Sequence, residues 1–268
     1  MGEAESPDGR GAGASETVAD AFLGGALCLR QPRKGHRAGT DAVLLAAAAP
    51  ADFSGFALDI GAGVGAAGLA LAIKRPQARL GLVENDPATA TLAQENLALN
   101  GLLERGSLHV ADVLSPASRR ATGLRDESAD LVITNPPFYD PGRVRASPDT
   151  GKRRAHVMET SGGAGPGGLI AAWIAACLAL TAPGGIFIMI HRPDRLAESL
   201  AACAGRAGAL TIMPVHAEPE SAANRILLRG KKGSRAPLSI APALILNEHG
   251  RFTAKADAIH KGKALIDW

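Results

Sequence analysis

The sequence is short of most of what metal, secretory and membrane chemistry requires. Its three cysteines, Cys28, Cys177 and Cys203, form no CxxC pair and show no metal-like spacing, and none of its seven histidines forms a ligand pair at helical spacing. No metal is expected, and reduced thiols suit a reducing compartment such as the cytoplasm. No apolar run is long enough to cross a bilayer, and no basic stretch leads into an apolar core at the N-terminus, so neither a membrane span nor a secretory signal is read. Aromatic residues make up only 3% of the chain. The core must then be built of Ala, Leu, Val and Ile, and an isolated aromatic such as Phe138 is the more noticeable. Nor does one charge dominate. A net charge of +3 on 268 residues neither establishes nor excludes a nucleic-acid partner, so the placement of charge matters more than its sum.

What the chain does contain is an alternation of strands and helices. Residues 1–19 are rich in Gly, Ser and acids without periodicity and read as a disordered tail, with ordered structure beginning near Phe22. Arg30 to Arg37 reads as a basic loop, and Thr40 or Asp41 is placed to cap a helix over Val43–Ala49. Strands follow at 56–60, 79–84, 107–111, 130–134, 186–190, 209–215 and 224–229. Helical segments lie between them at 66–74, 87–100, 168–181 and 194–205. This order predicts an α/β fold, a single Rossmann-like domain over residues 20–268 with a mostly parallel seven-stranded sheet and an antiparallel last strand. Residues 20–55 form a lead-in and 139–165 a Pro/Gly-rich loop too long for a simple connection.

In such a sheet, ligands bind beyond the carboxyl ends of the strands. The first strand delivers Asp59 and the turn Gly61-Ala62-Gly63-Val64-Gly65, whose glycines let backbone pass close to a ligand. The second delivers Glu84, an acid placed to hold ribose hydroxyls. The third delivers Asp112, able to accept from an exocyclic amine of adenine. The fourth ends abruptly at Asn135-Pro136-Pro137-Phe138. Two prolines supply no backbone donors, while an amide oxygen and an aromatic face stand at the same strand end, which suits a planar, amine-bearing substrate. Each feature has a plainer reading: Asn-Pro as a turn, Glu84 as a solvated acid, Asp112 as a turn residue. Their joint order, each at a strand end, is far more specific than any one of them.

Asp59-Ile60-Gly61-Ala62-Gly63-Val64-Gly65 resembles the cofactor loop of class I S-adenosylmethionine-dependent methyltransferases. Asn135-Pro136-Pro137-Phe138 is similar to the Asn-Pro-Pro-aromatic signature of those that methylate a planar nitrogen. Gly39-Thr40-Asp41-Ala42-Val43-Leu44-Leu45 and the basic strand Asn224–Gly233 resemble segments of the bacterial tRNA adenine-N6 methyltransferases, which act on the adenine beside the anticodon of a valine tRNA. The resemblance runs from about residue 22 to the end and is strongest across 39–138. It implies S-adenosyl-L-methionine as cofactor, with Thr40, Asp59, Gly61, Gly63, Gly65, Glu84, Asp112, Val113 and Asn135 around it. It assigns the chemistry to Asn135, Pro136, Pro137 and Phe138.

An exocyclic amine is a poor nucleophile because its lone pair is delocalised into the ring. Accepting its two hydrogens at Asn135 Oδ1 and the Pro136 carbonyl would favour a pyramidal nitrogen aimed at the methyl group, with Phe138 stacked on an extruded base. RNA, tRNA first, is the implied partner. Its phosphates would meet Arg33, Lys34, Arg37, Arg153, Arg154, Arg225, Arg229, Lys231 and Lys232, although a charge run is usually solvated surface. Protein-glutamine N5- and rRNA guanine-N2 methylation remain alternatives inside the superfamily. Outside it, Gly63-Val64-Gly65-Ala66-Ala67-Gly68 matches GxGxxG with Glu84 beyond it, as in an NAD(P)-binding oxidoreductase. Oligomeric state is not read from the sequence.

Overall fold

The computed structural model describes residues 17–33, 37–137 and 168–268. The chain opens with an antiparallel hairpin, β1 (Thr17–Phe22) and β2 (Leu27–Pro32). Its turn passes through Leu23, Gly24 and Gly25, all at positive φ, and glycine relieves two of the three. The tail and loop expected here are therefore corrected in part. Thr17 to Ala19 and Arg30 to Pro32 are strand, while residues 1–16 lie outside the described residues. The hairpin escapes a composition-based reading because Thr-Val-Ala-Asp-Ala-Phe is small and half-polar, and Leu27 and Leu29 bury only one of its faces.

Then follow α1 (Thr40–Ala47), β3 (Phe56–Ile60), α2 (Ala66–Lys74), β4 (Arg79–Glu84), α3 (Pro87–Leu99), β5 (Gly106–Val110), α4 (Pro116–Ala121) and β6 (Ala129–Thr134). Beyond the next described residue, Gly168, come α5 (Gly168–Leu180), β7 (Thr181–His191), α6 (Leu196–Cys203), β8 (Ala207–His216) and β9 (Ala223–Lys232). The chain closes with four two-residue strands, β10 (Ser239–Ile240), β11 (Leu244–Ile245), β12 (Asn247–Glu248) and β13 (Arg251–Phe252), and helix α7 (Ala254–His260).

The long strands form one sheet in the order β8-β9-β7-β6-β3-β4-β5, with β10 and β11 added along β8. All neighbours are parallel except β9, which runs antiparallel between β7 and β8. The expected seven strands and antiparallel last strand are present, and two short edge strands extend them. From β3 the chain winds outward to β4 and β5, then returns to lay β6 on the other side of β3. That reversal is the switch point where an open α/β sheet leaves a crevice.

Side chains alternate between two faces, as pleating requires. Leu131, Ile133, Ile188 and Ile190 join α1, α2 and α3 in one core. Val132, Phe187 and Met189 join α5 and α6 in the other. Arginines close helix ends: buried Arg75 donates to the carbonyls of Ala46, Ala49 and Pro50 at the end of α1, and half-buried Arg105 to those of Ala72, Arg75 and Ala78 at the end of α2. A guanidinium there meets helix-end carbonyls and the negative end of the helix dipole.

Candidate active site

Ile60 pairs with Thr134, so the strands that end in the glycine turn and in Asn-Pro-Pro finish side by side. Thr134 Oγ1 donates to the Ile60 carbonyl at 2.7 Å and accepts from Trp173 Nε1 at 3.0 Å. The same indole lies against the turn, where a Cβ on Gly61 would come within 2.9 Å of it. Trp173 thus braces both sides of the crevice. No motif marks Trp173, although one of two tryptophans on an apolar helix of an aromatic-poor chain is a usable signal.

The glycine turn is held by its neighbours. Gly61 and Ala62 donate to the Val83 carbonyl at 2.9 and 3.0 Å, and Gly63 donates to Glu84 Oε2 at 2.9 Å. Gly61, Gly63 and Gly65 all have positive φ. A Cβ on Gly63 would meet nothing within 4 Å, so open space adjoins the turn where its backbone is most exposed to a ligand.

Gly65 is the N-cap of α2 and offers no side-chain acceptor. Asp59 supplies one from β3, its Oδ2 accepting from Gly68 N at 2.8 Å. Burial pushes the Asp59 carboxyl up to about 7, the Gly68 hydrogen bond works against that, and the charge of Glu84 adds to it. Glu84 is half-buried, its Oε1 accepting from Asn85 and Asp86 N at 2.9 and 2.8 Å. It is an oriented carboxylate rather than a freely solvated one.

Asp112 stands half-buried beyond β5 and accepts from Leu114 N at 2.9 Å, an Asx turn. Val113 packs into the core, its carbonyl taken by Arg119. Asn135 and buried Pro136 complete the rim, followed by exposed Pro137. Among the described residues, the buried Asn135 Oδ1 has no hydrogen-bond partner. Phe138 lies outside the described residues.

Thr40 and Asp41 do not cap α1, whose N-cap is Gly39. Their side chains turn to other segments instead. Thr40 Oγ1 meets His260 Nε2 at 3.1 Å, and Asp41 pairs with Arg225 Nε at 2.8 Å. His191, the last residue of β7, is buried.

The basic set is not brought together. Ile226 pairs with His191 at the carboxyl ends of the parallel strands, whereas Lys231 pairs with Gly208 and Lys232 with Ala207, where β8 begins. At about 3.3 Å per residue, Arg225 and Lys231 stand roughly 20 Å apart on opposite rims. Lys232 is engaged by Glu127 at 3.0 Å and the Thr181 carbonyl at 2.7 Å. Arg229 lies over the Trp268 ring, 5.4 Å from its centroid. Arg37 pairs with Asp20, and Arg33 is exposed after β2. Lys34, Arg153, Arg154 and the loop 139–165 lie outside the described residues. Of the cysteines, Cys177 and Cys203 are buried with thiols pushed up by burial, and Cys28 is half-buried. No cluster able to hold a metal occurs among the described residues, and no helix among them is long and apolar enough to cross a membrane.

Residues 37–150 match the methyltransferase small domain family. The tRNA1(Val) (adenine(37)-N6)-methyltransferase of Escherichia coli O157:H7 (strain EC4115 / EHEC) is 38% identical over 119 residues, 44% of this chain and 46% of that protein. The protein of the same name from Porphyromonas gingivalis (strain ATCC BAA-308 / W83) is 36% identical over 128 residues, 46% and 49% of the two chains. The chain spans about half the length of the curated relatives it matches. The crystal structure of protein Atu636 from Agrobacterium tumefaciens, named a predicted O-methyltransferase, superposes with a TM-score of 0.69 at 33% identity, covering 84% of this chain and 98% of that one. With a glycine turn and an Asn-Pro-Pro strand end meeting at the switch point, and with this likeness across nearly the whole of a methyltransferase chain, the protein belongs to the class I S-adenosylmethionine-dependent methyltransferases.

Proposed function

We propose that the protein transfers a methyl group from S-adenosyl-L-methionine to the exocyclic N6 of an adenine in tRNA, the adenine beside the anticodon. The cofactor supplies an electrophilic methyl on a sulfonium sulfur. The chain's own residues do the rest by position and hydrogen bonding. The residues fit the cofactor: left-handed Gly63 adjoins open space, a buried Asp59 carboxyl stands at the end of β3 to balance a cation, and Glu84 is already oriented for ribose hydroxyls.

One observation carries the acceptor assignment: the buried Asn135 Oδ1, unpartnered among the described residues. A buried acceptor without a donor costs about 1–3 kcal/mol, which a substrate N–H brought to it would offset. An amine offers two hydrogens, one for Oδ1 and one for the Pro136 carbonyl. Held there, the nitrogen lone pair leaves the ring plane and faces the donor side of the crevice, next to Gly61. No strong base is needed, because the proton becomes acidic only as the N–C bond forms. Phe138 would stack on the base, which must leave its helix or loop to reach the rim.

The names of the two tRNA methyltransferases support the substrate, and the match of residues 37–150 to the methyltransferase small domain supports methyl transfer. Phosphate contact is ascribed to the lead-in, with Arg33 and Arg37, and to Arg225 and Arg229. The placement of Lys231 and Lys232 on the far rim removes them from direct contact at the crevice. Methyl-labelled cofactor should be offered to total RNA and to total protein, followed by mass spectrometry of nucleosides and residues. Label in N6-methyladenosine from tRNA is the expected result. Label in N2-methylguanosine, methylglutamine or an O-methyl product alone would replace the substrate assignment.

A further inference from the structure

Asn96 on α3 has no solvent exposure, yet its amide is fully committed to two other parts of the chain. One Nδ2 hydrogen goes to the Val64 carbonyl in the glycine turn at 2.9 Å. The other goes to the Arg30 carbonyl on β2 at 3.0 Å, and Oδ1 accepts from Arg30 N at 2.7 Å. Val64 precedes the N-cap of α2, so its carbonyl lies outside the helix ladder, and the nearby Gly68 N–H is already given to Asp59. Asn96 therefore supplies the donor that the turn itself lacks. Fixing that carbonyl fixes the Val64–Gly65 peptide plane, and with it the left-handed backbone on either side.

We infer that Asn96 is a positioning residue for the cofactor turn, locking its backbone and tying it to the N-terminal hairpin. This rests on the reading that residues 61–65 hold S-adenosyl-L-methionine. The fold provides its own control one helical turn away. Asn100 pairs in the same manner with the same strand, accepting from Cys28 N at 3.0 Å and donating to Cys28 O at 2.7 Å, but its remaining bond goes to the Asn96 carbonyl within α3. Asn100 anchors the hairpin only; Asn96 anchors the hairpin and the turn.

The test compares full-length wild type, Asn96→Ala and Asn100→Ala by calorimetric titration with S-adenosyl-L-methionine and by thermal unfolding. Both variants should lose several degrees of melting temperature. Only Asn96→Ala should weaken cofactor binding, by about tenfold, with kcat at saturating cofactor within twofold of wild type. Asn100→Ala should bind within twofold of wild type. The inference is overturned if Asn96→Ala binds normally, or if Asn100→Ala loses as much affinity. Should Asn96→Ala not fold, Asn96→Ser, small and neutral, is read in the same way, together with amide hydrogen exchange across residues 61–68. Faster exchange confined to that segment supports the inference, and unchanged exchange there overturns it. Failure of the wild type to bind the cofactor would instead remove the reading of the turn itself.

Discussion

On the β3 side of the crevice the turn is secured by its neighbours: Gly61 and Ala62 donate to Val83, Gly63 donates to Glu84, and Val64 accepts from Asn96. Across the crevice, one strand away, Asn135 Oδ1 is buried with no described residue donating to it. The first lip is built to hold a shape whether or not a ligand is bound. The second retains an unmet acceptor that a bound N–H would complete. The difference separates two tasks of a transferase, which must grip one reactant firmly and polarise the other only when it arrives.

Removing the unmet acceptor should have the largest effect. Asn135→Ala is expected to slow methyl transfer by about 10²–10³-fold, the loss typical of deleting one preorganised hydrogen-bonding group. Cofactor affinity measured by calorimetry should stay within threefold, because the turn is untouched. A variant that keeps its rate would remove Asn135 from the chemistry.

The opposite lip should break differently. Gly61→Ala puts a methyl 2.9 Å from the Trp173 ring at a residue with φ of +71°. Left-handed strain and overpacking together should cost about 2–4 kcal/mol. Denaturant unfolding should show this as a lower midpoint at unchanged slope. Here affinity should fall along with stability, whereas Asn135→Ala spares both.

Asp59 gives the first lip a pH signature. Its carboxyl, raised to about 7 in the folded chain, binds a proton more tightly than in the unfolded chain. Its contribution to stability is therefore full below about pH 4 and is lost as pH rises through about 7. A cationic cofactor prefers the ionised carboxyl, so binding at low pH must expel that proton. Affinity should fall about tenfold from pH 8 to pH 6, and Asp59→Asn should flatten the profile. A wild-type affinity independent of pH would separate Asp59 from the cofactor's charge.

The sheet could be read from the sequence because a parallel strand buried on both faces is a continuous apolar run ended by Gly or Pro. Leu131-Val132-Ile133 and Ala57-Leu58 are such runs, and the motif residues follow at their ends. What could not be read depends on partners distant in sequence. Asn96 looks like an ordinary helix residue until Val64 and Arg30, 32 and 66 positions away, close on it. The closing segment after β9 has two-residue strands and a helix of only seven residues, too short for periodicity to register. It is fastened instead by Ile266 N to the Ala47 carbonyl and Trp268 Nε1 to the Ala48 carbonyl. The placement of the basic segment could not be read either, because neighbours in sequence need not share a rim. A fully extended strand carries Arg225 to one rim and Lys231 to the other.

The contrast between the lips should be weakest where one side chain serves both. Trp173 rests on Gly61 and donates to Thr134, the residue before Asn135. Trp173→Phe keeps a ring in place but loses that hydrogen bond. Thr134 still donates to the Ile60 carbonyl, so the loss should be about 1 kcal/mol, or about 2–4 °C in melting temperature. Because the brace is shared, cofactor affinity and transfer rate should fall together, each by about two- to fivefold. Thr134→Val provides the check, since it removes both hydroxyl bonds while nearly preserving shape. If it lowers the rate but not the affinity, the brace belongs to the acceptor lip alone, and Trp173 meets Gly61 only as packing.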